Sequence, residues 1–192
     1  MNTTFILANI EKQITLDTKE INYFKQLLTV EHFSKKEFIL REGDRCKYLY
    51  FVNKGILRAF YVNKEGKDST VMFALQDWWI TDMHCFLNRL PAMVNIQAIE
   101  PTSVLKLSKS NLEKLYEEIP KFEKLFRILM EKAYCREQLR VIQNLSSPAK
   151  ERYHSFIEKY PQIVRQVPQK QIASYLGITP EFLSHIRANK NS

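Results

Sequence analysis

Gln169, Lys170, Thr179, Glu181, Ser184, His185 and Arg187 crowd the C-terminal end of this sequence, and they are types that reach base edges and phosphates of double-stranded DNA. Lys170 and Arg187 suit phosphates, which set affinity and salt dependence. Glu181 can accept a hydrogen bond from a cytosine amino group, and His185 can donate to guanine. Nothing comparable points to a reaction. No Ser/His/Asp set, Gly-rich phosphate loop or paired catalytic Cys/His is present, so no enzyme activity is expected. His32 and His84 each stand alone, and Cys46, Cys85 and Cys135 form an odd set without a C-x-x-C pair or an N-terminal cluster. The thiols read as reduced packing groups, and no metal or cofactor is expected.

Those polar residues need a mount, and residues 169–188, QKQIASYLGITPEFLSHIRA, provide one. Two helices crossing steeply require a small residue at the crossing, a glycine able to take φ > 0 at the turn and apolar residues at the buried contacts. Ala173 is the small residue, Gly177 the turn, and Ile172, Leu176, Ile178, Leu183 and Ile186 the core. Thr179 caps the second helix and Pro180 takes its first position. The competing reading is a helical hairpin that packs on another protein.

Upstream, short segments rich in β-branched and aromatic residues alternate with polar turns: 48–52, 56–62 and 69–75, then 94–99 and 103–107. Gly43, Gly55 and Gly66 punctuate the first part, and the spacing predicts an antiparallel jelly roll. The period then changes. Ser110 with Glu113 reads as a capping box, and Leu115, Ile119, Phe122, Phe126, Leu129 and Ala133 recur at steps of four and three. Pro120 divides this stripe, predicting a short helix and then a long one to about Leu145. The long helix either packs on its own sensor domain or forms a dimer seam. Leu125, Leu139, Ile142 and Leu145 make it apolar on more than one side, which favours a seam through Phe122, Phe126, Leu129 and Ala133. Ser147-Pro148 reads as an N-cap and first helical position, Pro161 as a helix stop, and 163–167 as an extended piece.

The expected class is α+β in three parts: an antiparallel β-roll over 1–119, a dimerisation helix and linker over 120–146, and a helix-turn-helix domain over 147–192. The net charge is +8, and residues 141–192 carry 7 Lys/Arg against 3 Asp/Glu, a density that suits a polyanion. No apolar run approaches the ~20 residues of a membrane span. The N-terminus lacks a basic region and a cleavage site, so a cytoplasmic location without membrane contact is expected.

With these elements in order, the chain resembles the Crp/Fnr superfamily of transcription regulators over nearly its whole length. KKEFILREGDRCKYLYFVNKGILRAFYVNKEGKDSTVMF is similar to the family's cyclic-nucleotide-binding-like sensor, and RYHSFIEKYPQIVRQVPQKQIASYLGITPEFLSHIR to its DNA-binding half. The resemblance implies a homodimer that binds a near-palindromic operator through a winged helix-turn-helix, with RNA polymerase and a small-molecule effector as further partners. It also exposes departures. Where the cyclic-AMP-binding branch carries Gly-Glu and Arg-Ser pairs for ribose and phosphate, this chain has Ile80-Thr81 and Ala92-Met93. Losing the guanidinium removes a charge-assisted contact, so cyclic nucleotide binding is not expected. Trp78, Trp79, Thr81, Asp82 and Arg89 are left as effector-pocket candidates, the tryptophans either filling the vacated pocket or lining an apolar one. In the recognition helix the family commonly has arginine, glutamate and arginine where this chain has Pro180, Glu181 and His185. Two other classes compete. An interaction module without DNA binding leaves residues 169–188 unexplained, and a cupin-type enzyme lacks its cluster of histidine ligands.

Overall fold

The computed structural model describes residues 1–188. Two four-stranded antiparallel sheets form the β-roll. One runs β1 (Leu28–Phe33), β8 (Thr102–Ser108), β3 (Tyr48–Lys54), β6 (Trp79–Ile80); the other runs β2 (Phe38–Leu40), β7 (Asn95–Ala98), β4 (Leu57–Val62), β5 (Asp68–Ala74). Every strand expected from sequence is present, with ends moved by one or two residues. The additional strands β1, β2 and β6 are too short or too polar to announce themselves. Gly55 makes the β3–β4 turn possible: it has φ 95°, and a Cβ would collide with Thr102 and the Pro101 carbonyl.

Two short helices, α1 (Thr4–Glu11) and α2 (Thr18–Leu27), precede the roll, and α3 (Met83–Asn88) lies within it. A reciprocal capping box between Asp17 and Glu20 starts α2. After β8 come α4 (Lys109–Glu118) and the 26-residue α5 (Lys121–Ser146). The cap of α4 is not the expected Ser110–Glu113 box. Ser108 accepts the Asn111 amide at 3.1 Å, because the cap position is set where β8 ends, and Ser110 is already inside the first turn.

The C-terminal part comprises α6 (Ala149–Lys159), α7 (Pro161–Gln166), α8 (Gln169–Leu176) and α9 (Pro180–Ala188). Here Pro148, not Ser147, flanks the first helix, and no side chain caps it. Of residues 163–167 only Val167 is extended: Pro161 starts a short helix through Gln166 that buries Ile163, so tertiary burial overrides β-branched propensity. Among the described residues no strand follows β8, so the wing implied by the resemblance has no counterpart in 147–188.

The long helix departs furthest from expectation. Phe122 is fully buried and Phe126 is 6% exposed, both within their own chain. Phe122 stacks 4.9 Å from Phe24, and Phe126 meets Trp79 and Tyr116 edge-on at 5.5 and 5.9 Å. Leu129 packs against the same core. Neither Phe122 nor Phe126 is therefore available to a seam between chains. Pro120 starts α5 so close to the roll that its first apolar turns are consumed by the roll's core. Tyr134, Val141, Ile142 and Leu145 stand exposed on the opposite face.

Candidate nucleic-acid interface and sensor pocket

Gly177 ends α8 in the left-handed conformation (φ 68°), and the Ile178 amide donates to the Ala173 carbonyl at 3.0 Å, closing the turn. Thr179 accepts the Phe182 amide at 3.2 Å and so caps α9 as expected. Leu183 and Ile186 are buried with Ile172, Ala173 and Leu176, which leaves Glu181, Ser184, His185 and Arg187 outside. The Ser184 hydroxyl donates back to the Pro180 carbonyl at 3.0 Å, so its proton is used within the helix. Lys170 is exposed at the start of α8, whereas Gln169 is half-buried with its Oε1 buried and without a hydrogen bond. The candidate set therefore divides: Lys170, Glu181, His185 and Arg187 lie open on the surface, Thr179 and Ser184 serve the helix, and Gln169 is recessed. Phe182, 48% exposed at the edge of the outer face, was absent from the sequence-derived set. An exposed phenyl beside Glu181 and His185 is of a type that can contact a thymine methyl; its signal was an aromatic residue out of phase with Leu183 and Ile186.

The helix-turn-helix is docked on the roll. Its core is continuous with Ile56, Phe73, Leu75 and Ile99 of the roll, and Tyr175 stacks 5.6 Å from Phe73. Beside this contact Ser174 of α8 forms a polar hub. Its hydroxyl accepts the Thr70 amide at 2.9 Å and donates to the Asp68 carbonyl at 3.0 Å. Arg58, 3% exposed, grips both carboxylate oxygens of Asp68 at 2.8 and 3.2 Å and donates to the Thr70 hydroxyl at 2.8 Å. Hydrogen bonding from Arg58 holds the Asp68 carboxyl below its ordinary value, outweighing burial. Sequence reasoning missed this hub. A cleft of about 420 Å3 separates the β4–β5 turn at Gly66 and Lys67 from Lys170, Thr179 and Glu181.

The five effector-pocket candidates do not converge. Trp79 packs against Phe51 and Phe126 and donates to Asn9 at 3.2 Å; Trp78 faces Tyr160. Both line a cleft of about 230 Å3 between the roll and α5, shared with Leu129 and Ala133. Thr81 donates to the Tyr48 carbonyl and touches the Cys46 thiol, which burial pushes upward in pKa. Arg89 sits on the outer surface, 75% exposed and 3.5 Å from Glu113. Asp82 is buried, and its carboxylate accepts the Cys85 amide at 3.2 Å and the Met93 amide at 2.8 Å. A carboxylate already sits on these amides, so an anion approaching them meets a negative charge. The tryptophans belong to the cleft facing α5 and Arg89 to the outer surface, because β6 carries Trp79 toward the helices while the left-handed Arg89 swings the chain outward after α3.

Buried Cys46 and Cys85 and exposed Cys135 are free, and His32 and His84 are exposed. No helix among the described residues is long and apolar enough to cross a membrane.

Residues 30–119 match the cyclic nucleotide-binding domain family. The transcriptional activator protein anr of Pseudomonas aeruginosa is 24% identical over 163 residues, covering 79% of this chain and 66% of its own length, just under two thirds. The c-di-GMP-responsive global regulator CLP of Xanthomonas campestris superposes with a TM-score of 0.75 at 12% identity, covering 91% of this chain and 92% of its own. FixK2 of Bradyrhizobium japonicum superposes with a TM-score of 0.69 at 21% identity, covering 84% and 83%. The first two of these proteins are named as regulators of transcription or gene expression.

Proposed function

We propose that the chain is a member of the Crp/Fnr superfamily and a homodimeric, cytoplasmic, non-enzymatic transcription regulator that reads double-stranded DNA with α9, a reading supported by the matched domain and by the regulators it resembles. The observation that carries this reading is the division of α9: Leu183 and Ile186 are spent on the core, and Glu181, His185 and Arg187 are left on the open side. Glu181 and His185 read base edges, Phe182 reads a methyl, and Lys170 and Arg187 hold phosphates. Thr179 and Ser184 position the helix, and Gln169 supports the start of α8. We assign residues 1–119 to sensing, 120–146 to dimerisation and 147–192 to DNA binding.

The dimer seam lies on the outer face of α5, at Tyr134, Val141, Ile142 and Leu145, all more than half exposed. Two such helices side by side would place two reading helices for a two-fold operator, on which the bound dimer meets RNA polymerase. A small-molecule effector other than a cyclic nucleotide acts on the sensor, since the Asp82 carboxylate occupies the Cys85 and Met93 amides and would repel an anion there.

Selection from random duplexes followed by salt titration tests the reading. Glu181→Ala should relax preference at one position per half-site. Lys170→Ala should weaken binding to every sequence and flatten the salt slope by about one unit. Binding no tighter than non-specific to every selected duplex, with or without cell extract as an effector source, refutes it.

A further inference from the structure

Where α5 hands over to the C-terminal helices, a recess of about 80 Å3 opens between α5, α6 and α8. A water needs roughly 10–15 Å3 of such volume, so the recess has room for the oxygens of one compact ion. Four cations line it: Arg136 and Arg140 from α5, Arg152 and Lys159 from α6. No acidic side chain lines it. Gln143 and Ser155 add neutral donors, and Tyr160 and Tyr175 supply aromatic walls.

The protein leaves this charge poorly compensated. Arg136 and Arg140 share a single carboxylate, Glu137, at 3.5 and 2.8 Å. Arg152 turns its fork to two backbone carbonyls, those of Ser147 at 2.7 Å and Leu176 at 3.1 Å. The Nε atoms of both Arg140 and Arg152 are buried without an acceptor. Arg140 and Lys159 otherwise lie over the rings of Tyr175 and Tyr160, 5.3 and 5.4 Å from the centroids. Those faces attract cations but do not neutralise them. Packing like charges around a recess is unfavourable unless an anion joins them, and arginine forks match tetrahedral oxyanions.

We propose that this recess binds a small phosphorylated anion and that its occupancy fixes the joint between α5 and the C-terminal helices. The ligand is a small molecule and not a duplex backbone, because the Arg136 and Arg140 side chains keep only 29% and 25% of their exposure, sunk below the surface a duplex would reach. Arg152 already ties Ser147 at the end of α5 to Leu176 at the end of α8, so an anion held against it draws those elements together. The site stands independently of DNA binding; only its regulatory effect rests on that reading.

Calorimetric titration of the full chain with sodium phosphate and sodium pyrophosphate, at ionic strength held constant with chloride, tests the proposal. Saturable binding of one ion per chain is expected. Arg140→Gln and Lys159→Gln should each weaken it at least tenfold, and Lys35→Gln, at an exposed position between β1 and β2, should leave it unchanged. Among the described residues Lys159 makes a ring contact with Tyr160 and no hydrogen bond or ion pair, so that variant tests the site even if Arg140→Gln melts early. Absence of saturable heat overturns the proposal, as does equal binding by Lys159→Gln. Displacement by non-specific duplex, with parallel loss of DNA affinity in both variants, would make the recess a DNA-backbone contact and also overturn it. A chain that binds pyrophosphate but no selected duplex keeps the site and loses the regulator reading.

Discussion

The two partners of the Arg58–Asp68 pair should be unequal when removed singly. Asp68→Ala strips two charge-assisted bonds from a guanidinium that is 3% exposed and leaves it mainly the Thr70 hydroxyl. An uncompensated buried charge of this kind costs about 3–5 kcal/mol. Arg58→Met replaces the stem with apolar volume and leaves a carboxylate that is 34% exposed, which water can solvate again. Loss of its bonds, discounted for screening, costs about 1–2 kcal/mol. Urea unfolding at neutral pH reads the difference, and the double variant should lie closer to Arg58→Met than to the sum of the two. Because Asp68 titrates below its ordinary 3.8 when folded, the carboxylate's contribution is complete above that value and is lost as pH falls through the lower folded value. The gap between wild type and Arg58→Met should therefore close in acid below about 3.8. An Asp68→Ala variant no less stable than Arg58→Met would refute the reasoning, since it would mean Arg58 is not held by that charge.

Leu145→Asp should sediment as monomer at micromolar concentration with little change in melting, whereas Phe126→Asp should fail to fold, because Phe126 sits in the sensor core; a dimeric Leu145→Asp protein removes the proposed seam. Millimolar cyclic AMP or cyclic GMP should leave the melting temperature unchanged, against the ~2.7 kcal/mol that a ligand at 100 times its Kd would add. A saturable shift would show that the Asp82 carboxylate yields its amides. Gly55→Ala should destabilise by more than the ~1–2 kcal/mol of a left-handed alanine, since the Cβ also meets Thr102 and Pro101. A loss below 1 kcal/mol in thermal unfolding would show that the turn relaxes.

Strands β3, β4, β5, β7 and β8 and the α8–Gly177–α9 turn were legible because their signals are local: a two-residue period, a glycine at a turn, a threonine before a proline. The dimer face was not. Period shows that α5 is apolar on several sides, but which side its own sensor claims depends on how Pro120 aims the helix, a tertiary matter. Trp78 and Trp79 line one cleft against α5, and that the cleft faces this helix is likewise a tertiary matter. Arg58 could not be placed from sequence, because only the fold shows that Leu57, Arg58, Ala59 and Phe60 of β4 are buried throughout, the mark of a sheet covered on both faces.

That double cover determines how α9 is oriented. The contact between the roll and the C-terminal helices has an apolar part, Phe73 and Leu75 against the helical core, and apolar surfaces tolerate sliding. The hub does not. Ser174 must accept from Thr70 and donate to Asp68 at once, and Arg58 fixes Asp68 and Thr70 from within the sheet, so a shift of α8 by a fraction of a turn leaves a buried amide unsatisfied at about 1–3 kcal/mol. Gly177 then couples α8 to α9 through a short closed turn. The orientation of Glu181 and His185 therefore follows the position of β5, and a change in the roll that moves Asp68 or Thr70 either carries α9 with it or breaks the hub and releases it.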